Sequence, residues 1–491
     1  MSLIGFIPSR TSTDYSLNVH IPLGEELMNE FVKYIIYEIK NSLLQVLFVI
    51  GIAVFALSYL LIRYRHTYGH PYKINWKKVL PISLFVAYFL IVEYATIGRG
   101  SDMLGRYNLH LFRAWKEAWL NYSLTIWLNL LLNILLFVPL GVFAPILWPS
   151  LRKGYKMLLL GFGVSLFIET TQLIAGKGLF DVDDLLCNTL GSLIGYCFTM
   201  VILSIVVSKE KRVALSVKYA VLGLIPIGLI AGVFIKYSLQ DYGNIPSRAV
   251  FTINAAKIDW SSDCVMPKTE DTAPIYYKKA LTKAECNQLA LTIGQNIGAN
   301  FDSIIHYDKE IRYIDHSGHN LTFFPADGSY TYSLLSFEPC VGGELDRERV
   351  EKALKLCGIS IPNSAIFQAD GAGWYTFTVN QVIEKDCMID GILRCRISGD
   401  SDIREIRNQL AGYQFHCTTD VISAEAAYQS LKSGRVWVEE EVLQHKTKSA
   451  KVLACHLMYK LDTKGFYRPV YEFNVLLGDY TTTISVCPYS V

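Results

Sequence analysis

Glu169, Asp183 and Asp184 are carboxylates set in or beside strongly apolar sequence, where each needs a cation, a proton or a hydrogen-bond donor. Donors recur around them at helical spacing. Asn129 and Asn133 lie four apart, ahead of Phe137-Val138-Pro139-Leu140-Gly141. Ser165, Glu169 and Gln172 follow at i, i+4 and i+7; Asp184, Asn188, Gly191 and Gly195 fall at i, i+4, i+7 and i+11, so each set lines one helix face. Arg99 could add a full positive charge. The spacing therefore predicts a shared ligand-binding polar site built from Arg99, Asn133, Glu169, Gln172, Asp183, Asp184 and Asn188. The same side chains would equally serve as interhelical hydrogen bonds, worth about 0.6–2 kcal/mol each. Gly191 and Gly195, spaced G-x-x-x-G, read as close-packing points, and Pro139 as a kink.

Asp181, Asp183 and Asp184 admit three readings. They form an acidic helix N-terminus with Asp183 or Asp184 as cap, or a hard-cation site with Glu169, or an acid–base pair acting on a lipid-linked substrate. No serine, cysteine or zinc hydrolase signature accompanies them.

The elements that must position these residues are membrane helices. The chain has 491 residues, 51% of them hydrophobic, and the apolar residues concentrate in its first half. Runs near 43–62, 79–97, 124–147, 157–174, 185–207 and 214–236 are each long enough to cross about 30 Å of hydrocarbon. The first 42 residues lack a cleavable-signal pattern and are expected to stay on the chain, with an amphipathic helix over 25–40 that either lies on the membrane or extends the first span.

Charge sets the expected orientation. The 63–78, 148–156 and 208–218 connections carry twelve Lys and Arg, against five in the 98–123 and 175–184 connections, which places both termini outside. The 98–123 loop, with Arg99, Arg106, Arg113 and Lys116, argues the other way. Under this topology the polar residues converge in the outer leaflet.

Asn133-Ile-Leu-Leu-Phe137-Val-Pro-Leu-Gly141, Gly161-Phe-Gly-Val-Ser165-Leu-Phe-Ile-Glu169-Thr-Thr-Gln172 and Asp181-Val-Asp183-Asp184-Leu-Leu-Cys-Asn188-Thr-Leu-Gly191 stand in this order, preceded by Ile97-Gly-Arg99 and Tyr107-Asn-Leu-His-Leu-Phe112. Together they resemble the VanZ-like family over roughly residues 80–205. The family takes its name from an accessory protein of glycopeptide-resistance clusters in Gram-positive bacteria. The resemblance implies a small helical membrane bundle and resistance to lipoglycopeptides such as teicoplanin; it implies no reaction.

After Lys236 the composition changes to alternating strands, capped helices and turns, expected to form an extracytoplasmic α+β domain over 237–491. Thr282-x-x-Glu285 is a capping box, Asp346 caps a helix running to Gly358, and Ser423 opens one stopped by Gly434. Hairpins are expected over 310–324, turning at Ser317-Gly318, and over 452–473 around Asp462 to Gly465, with further strands at 375–382 and 391–397. The block from Ile422 is similar to the helix-plus-hairpin units of PepSY-like and YycI-like envelope modules. Residues 281–332 repeat the helix-then-strands order, which suggests a degenerate duplication. Nine of the eleven cysteines lie in this half, where an oxidising compartment would pair them as four disulfides and one thiol, Cys387 with Cys395 first. Asp315, His316 and His319 read as polar turn residues rather than metal ligands.

The sequence thus describes a polytopic α-helical membrane bundle of six transmembrane helices (43–236) behind an N-terminal segment (1–42) and before the α+β domain. The expected role is that of a binding or accessory protein at the cell envelope, with no metal or cofactor and no nucleic-acid partner. Its expected partners are membrane lipid and a cell-wall precursor or lipoglycopeptide. The alternative is an enzyme or carrier for a lipid-linked envelope component, working through Glu169 and the Asp183/Asp184 pair.

Overall fold

The computed structural model describes residues 106–207 and 212–487, except 279, 308–309, 336–344, 372, 385, 399–401, 441 and 443–447, together with Phe85, Tyr88 and Val92. The N-terminal segment, the run at 43–62 and Arg99 lie outside the described residues, as does all of 79–97 but those three. The chain divides into two compact units between Asp241 and Tyr242.

In the first unit, a short helix α1 (Arg113–Asn121) precedes four long apolar ones: α2 (Leu124–Leu147), α3 (Gly154–Ala175), α4 (Val182–Val207) and α5 (Arg212–Ser238). All four are long and apolar enough to cross a membrane. Their bounds fall within a few residues of the runs read from the sequence, because hydrocarbon thickness fixes the length of each. Helix α2 runs unbroken through Pro139 and Pro145. Of the expected 79–97 span, Phe85, Tyr88 and Val92 are helical and pack beside α2, where the Tyr88 hydroxyl donates to the Leu136 carbonyl at 2.9 Å.

Helix α4 is the central element, packed against α2, α3 and α5. Its crossing with α2 is made by backbone. A Cβ on Gly191 would lie 1.9 Å from the Ile134 carbonyl oxygen, one on Gly195 2.1 Å from that of Val138, and one on Gly141 2.0 Å from that of Ser192. The G-x-x-x-G pair therefore packs as its spacing requires, with Gly141 as the small residue on the opposing helix. On the other side, a Cβ on Gly161 of α3 would lie 2.1 Å from Ser192 Oγ.

The ends of the bundle are distinct. At one, the strands β1 (Tyr107–Asn108) and β2 (Phe180–Asp181) pair in parallel, joining the segment before α1 to the α3–α4 connection. The C-terminal end of α5 meets the same end: the Tyr237 ring stacks on Tyr122, and Phe234 packs 4.7 Å from Trp127. At the other end, the Tyr196 hydroxyl donates to the Arg152 carbonyl at 2.8 Å and Ser204 bonds Ser216 at 2.6 Å.

The second unit is built on a sheet of fourteen described strands. In chain order the strands of the unit are β3 (Phe251–Asn254), β4 (Asp259–Ser262), β5 (Asp271–Tyr277), β6 (Ser303–His306), β7 (Ile311–Ile314), β8 (His319–Phe324), β9 (Ser329–Leu334), β10 (Ile366–Ala369), β11 (Trp374–Glu384), β12 (Cys387–Ile397), β13 (Ile403–Asn408), β14 (Ala411–Val421), β15 (Arg435–Val438), β16 (Ser449–Leu461), β17 (Phe466–Leu477) and β18 (Tyr480–Val486). The large sheet runs β4-β16-β17-β5-β14-β12-β13-β9-β8-β7-β6, with β10 added through β11 to β12 and β18 on β17; β3 and β15 pair separately. Helices α6 (Lys283–Ile297), α7 (Arg347–Leu356) and α8 (Ala424–Ser433) each precede a block of strands. The capping box at Thr282 and the Asp346 and Ser423 caps are all formed. Alternation puts Tyr313, Leu321, Phe323, Tyr332, Tyr375, Phe377, Leu393 and Cys395 on one sheet face, buried in one core with Cys286, Ile293, Val350 and Leu354 of α6 and α7.

One cysteine expectation is corrected here. Cys387 and Cys395 lie on the same strand, β12, eight residues or roughly 26 Å apart along it, so they cannot bond. All ten described cysteines are free thiols. The hairpin at Ser317-Gly318 is formed, and Asp315 holds it by accepting from the Ser317, His319 and Asn300 amides. His316 pairs with Asp302, and His319 Nδ1 bonds the Tyr332 hydroxyl.

Candidate functional site

The polar residues read from the sequence converge at the β1–β2 end of the bundle. Helix α3 turns Gly161, Ser165, Ile168, Glu169 and Gln172 inward, as a period of 3.6 demands, and ends in a left-handed Gly176 with the Lys177 amide donating to the Gln172 carbonyl. Glu169 and Gln172 are 3% and 2% exposed. Helix α2 contributes Asn133, whose Nδ2 donates to Asp184 Oδ1. Helix α4 contributes Asn188, whose Nδ2 donates to Ser165 Oγ at 2.9 Å. Glu169 Oε2 accepts the Asp181 amide at 3.1 Å, tying α3 to the start of α4.

The acidic triplet divides its work. Asp181 Oδ1 accepts the Asp183 amide at 2.8 Å and the Asn108 side-chain amide at 3.1 Å, so it is Asp181 that covers the N-terminus of α4. Asp183 faces elsewhere. Its Oδ1 accepts the Phe112 amide at 2.6 Å and its Oδ2 the Ala114 amide at 2.7 Å, so this fully buried carboxylate caps α1 from another helix. Capping was one of the readings open in the sequence; the helix that Asp183 caps was not legible there. Asp184 takes the Asn133 amide.

Asn108 and Ser165 belong to this cluster although the seven site residues omit them. Asn108 is 3% exposed, and its Oδ1 also accepts the His110 amide. Its one signal was its place in the Tyr107–Phe112 stretch; that it meets Asp181 depends on β1 pairing with β2.

Chemically, the cluster offers carboxylates and amides in a site shielded from lipid by α2, α3 and α4. Asn188 Oδ1 is buried with no hydrogen-bond partner among the described residues. A buried acceptor of this kind calls for a donor from a water or a ligand. Outside the spans, burial pushes the Glu117 carboxyl of α1 above the ordinary range, with Arg113 opposing the shift.

The VanZ/LLP1 family model matches residues 78–204. No curated protein matches the chain. Among solved structures, the YpeB C-terminal domain of Bacillus megaterium is matched at 12% identity over 43% of this chain and 95% of that one, with a TM-score of 0.17, too low a superposition to bear on the fold. The match to the family model spans the motifs quoted above, all of α1–α3 and α4 as far as Ser204, and so covers every residue of the polar cluster: residues 78–204 are a VanZ-like domain.

Proposed function

We propose that this chain is a six-span VanZ-like protein of the bacterial cell membrane, with its α+β domain (237–491) outside, that binds a polar group of an envelope component at the Asn133–Glu169–Asn188 cluster. The consequence is lowered susceptibility to lipoglycopeptides such as teicoplanin. The observation that carries the reading is convergence: polar groups from three helices meet in one buried cluster, in which Asn188 Oδ1 has no hydrogen-bond partner among the described residues. Cohesion alone would be better served by pairing every group. Binding is favoured over acid–base chemistry by the Asp183/Asp184 pair, because both Asp183 oxygens already accept backbone amides.

Orientation rests on charge and on shared ends. The segment before α1, the α3–α4 connection and the end of α5 lie at one end of the bundle, so Arg106, Arg113 and Lys116 accompany the acidic triplet rather than the basic 148–156 loop. Alkaline phosphatase fused after Gln240 is expected to be active.

The functional test expresses the intact chain, Glu169→Gln, Asn188→Leu and Gly163→Ala in a teicoplanin-susceptible Gram-positive host at matched membrane abundance. Protection is expected from the intact chain and from Gly163→Ala, where an added Cβ meets nothing within 4 Å, and is expected to be lost in the other two. Full protection by Glu169→Gln and Asn188→Leu would remove the cluster from function. Absence of protection by the intact chain would remove the resistance role.

A further inference from the structure

We infer that residues Arg106–Lys116 form an anchor that docks on the leaflet of an anionic phospholipid bilayer at the β1–β2 end of the bundle. Tyr107, Leu109, Leu111 and Phe112 are 65%, 61%, 47% and 49% exposed, although they lie outside the spanning helices. Asn108, between the first two, is 3% exposed and bonds Asp181, so this one polar side chain is turned to the bundle while the apolar side chains on either side of it are turned away.

This presentation is enforced by the rest of the fold. Backbone pairing to Phe180–Asp181 fixes Tyr107 and Asn108, and the Asn108 side chain fixes the turn at His110. Phe112 stands at φ 65°, a left-handed conformation that a bulky aromatic adopts only where its surroundings over-determine it. The over-determination is Asp183, a fully buried carboxylate whose two oxygens hold the Phe112 and Ala114 amides. A strained backbone secured by a buried charge thus displays a cluster of large apolar side chains at the end of a membrane bundle.

What surrounds the cluster names its occupant. Arg106, Arg113 and Lys116 flank it, giving three basic residues within eleven, and Arg106 is exposed. Helix α1 continues with the half-buried Trp115 and Trp119, and the Lys236 ammonium sits 5.5 Å over the Trp119 ring. Apolar side chains beneath a basic and aromatic rim match an acyl boundary beneath phosphate headgroups.

The test uses the full chain reconstituted in vesicles of phosphatidylcholine alone or mixed with phosphatidylglycerol, with a photo-reactive benzoylphenylalanine at Leu109 or Leu111. Mass spectrometry of the irradiated protein is expected to find lipid adducts at both positions, enriched in phosphatidylglycerol. Arg106→Gln and Lys116→Gln are each expected to reduce that enrichment by about five-fold, the factor that roughly 1 kcal/mol per basic residue corresponds to. Arg106 is exposed and Lys116 half-buried, and retention of the monodisperse wild-type elution profile confirms the fold of both variants. Adducts only to protein, or lipid adducts indifferent to phosphatidylglycerol, would overturn the inference. The result is independent of teicoplanin protection, so it stands or fails apart from the function proposed above.

Discussion

Replacing Gly191 with alanine inserts one methyl group where α4 crosses α2. The new Cβ would lie 1.9 Å from the Ile134 carbonyl oxygen and 2.8 Å from its carbon. Ordinary carbon–oxygen contact begins near 3.3 Å, so the shortfall is about 1.4 Å. The obstacle is helix backbone, which has no rotamer to change; the helices must separate. The carbonyl of Ile134 adjoins Asn133, so separation there also pulls Asn133 from Asp184. Overpacking of this kind costs about 1–3 kcal/mol, and an interhelical hydrogen bond adds about 0.6 kcal/mol, giving an expected loss of roughly 2–4 kcal/mol. The assay is reversible unfolding of the purified protein in mixed micelles, titrated with SDS. Gly163→Ala and Gly228→Ala serve as controls, since a Cβ at either meets nothing within 4 Å and alanine is the better helix former. Stability of Gly191→Ala within about 0.5 kcal/mol of wild type would refute backbone contact as the basis of the crossing.

Two further predictions concern other links in the structure. Asp183→Ala leaves the Phe112 and Ala114 amides without their acceptors, at about 1–3 kcal/mol each; hydrogen exchange should accelerate at 112–115 while α2 remains protected, and unchanged exchange would remove Asp183 as the α1 cap. In the second unit Lys278 is 6% exposed, with its ammonium 5.4 Å from the Tyr413 ring, and burial lowers its pKa to about 8, opposed by Asp327. The folded pKa lies below the unfolded one, so between pH 8 and the ordinary lysine range the unfolded chain binds more protons and stability rises with pH. Pulse proteolysis in urea should show a gain of about 1.5 kcal/mol from pH 8 to 9.5, absent in Lys278→Met; equal slopes in the two proteins would contradict a buried Lys278 ammonium.

The four described spans were legible because bilayer thickness imposes a length and lipid imposes an apolar composition, and both are properties of sequence. The inward faces were legible for the same kind of reason: Glu169, Gln172, Asn133 and Asn188 stand out as polar residues at helical spacing, and all four are buried. Gly191 and Gly195 declared a close crossing, and the caps at Thr282, Asp346 and Ser423 declared helix starts, since each depends on residues no more than four apart. What sequence could not supply was which element meets which. That Gly141 lies opposite Gly195, that Asn108 bonds Asp181, and that Asp183 caps α1 across some seventy residues are consequences of helix crossing and of one two-residue parallel pairing. Cys387 and Cys395 make the same point in reverse: eight residues suit a hairpin, but the chain extends through them as one strand of a large sheet. Local spacing fixes faces and caps because the backbone repeats every 3.6 or 2 residues. Partners across the fold are fixed only when packing selects one arrangement of those faces.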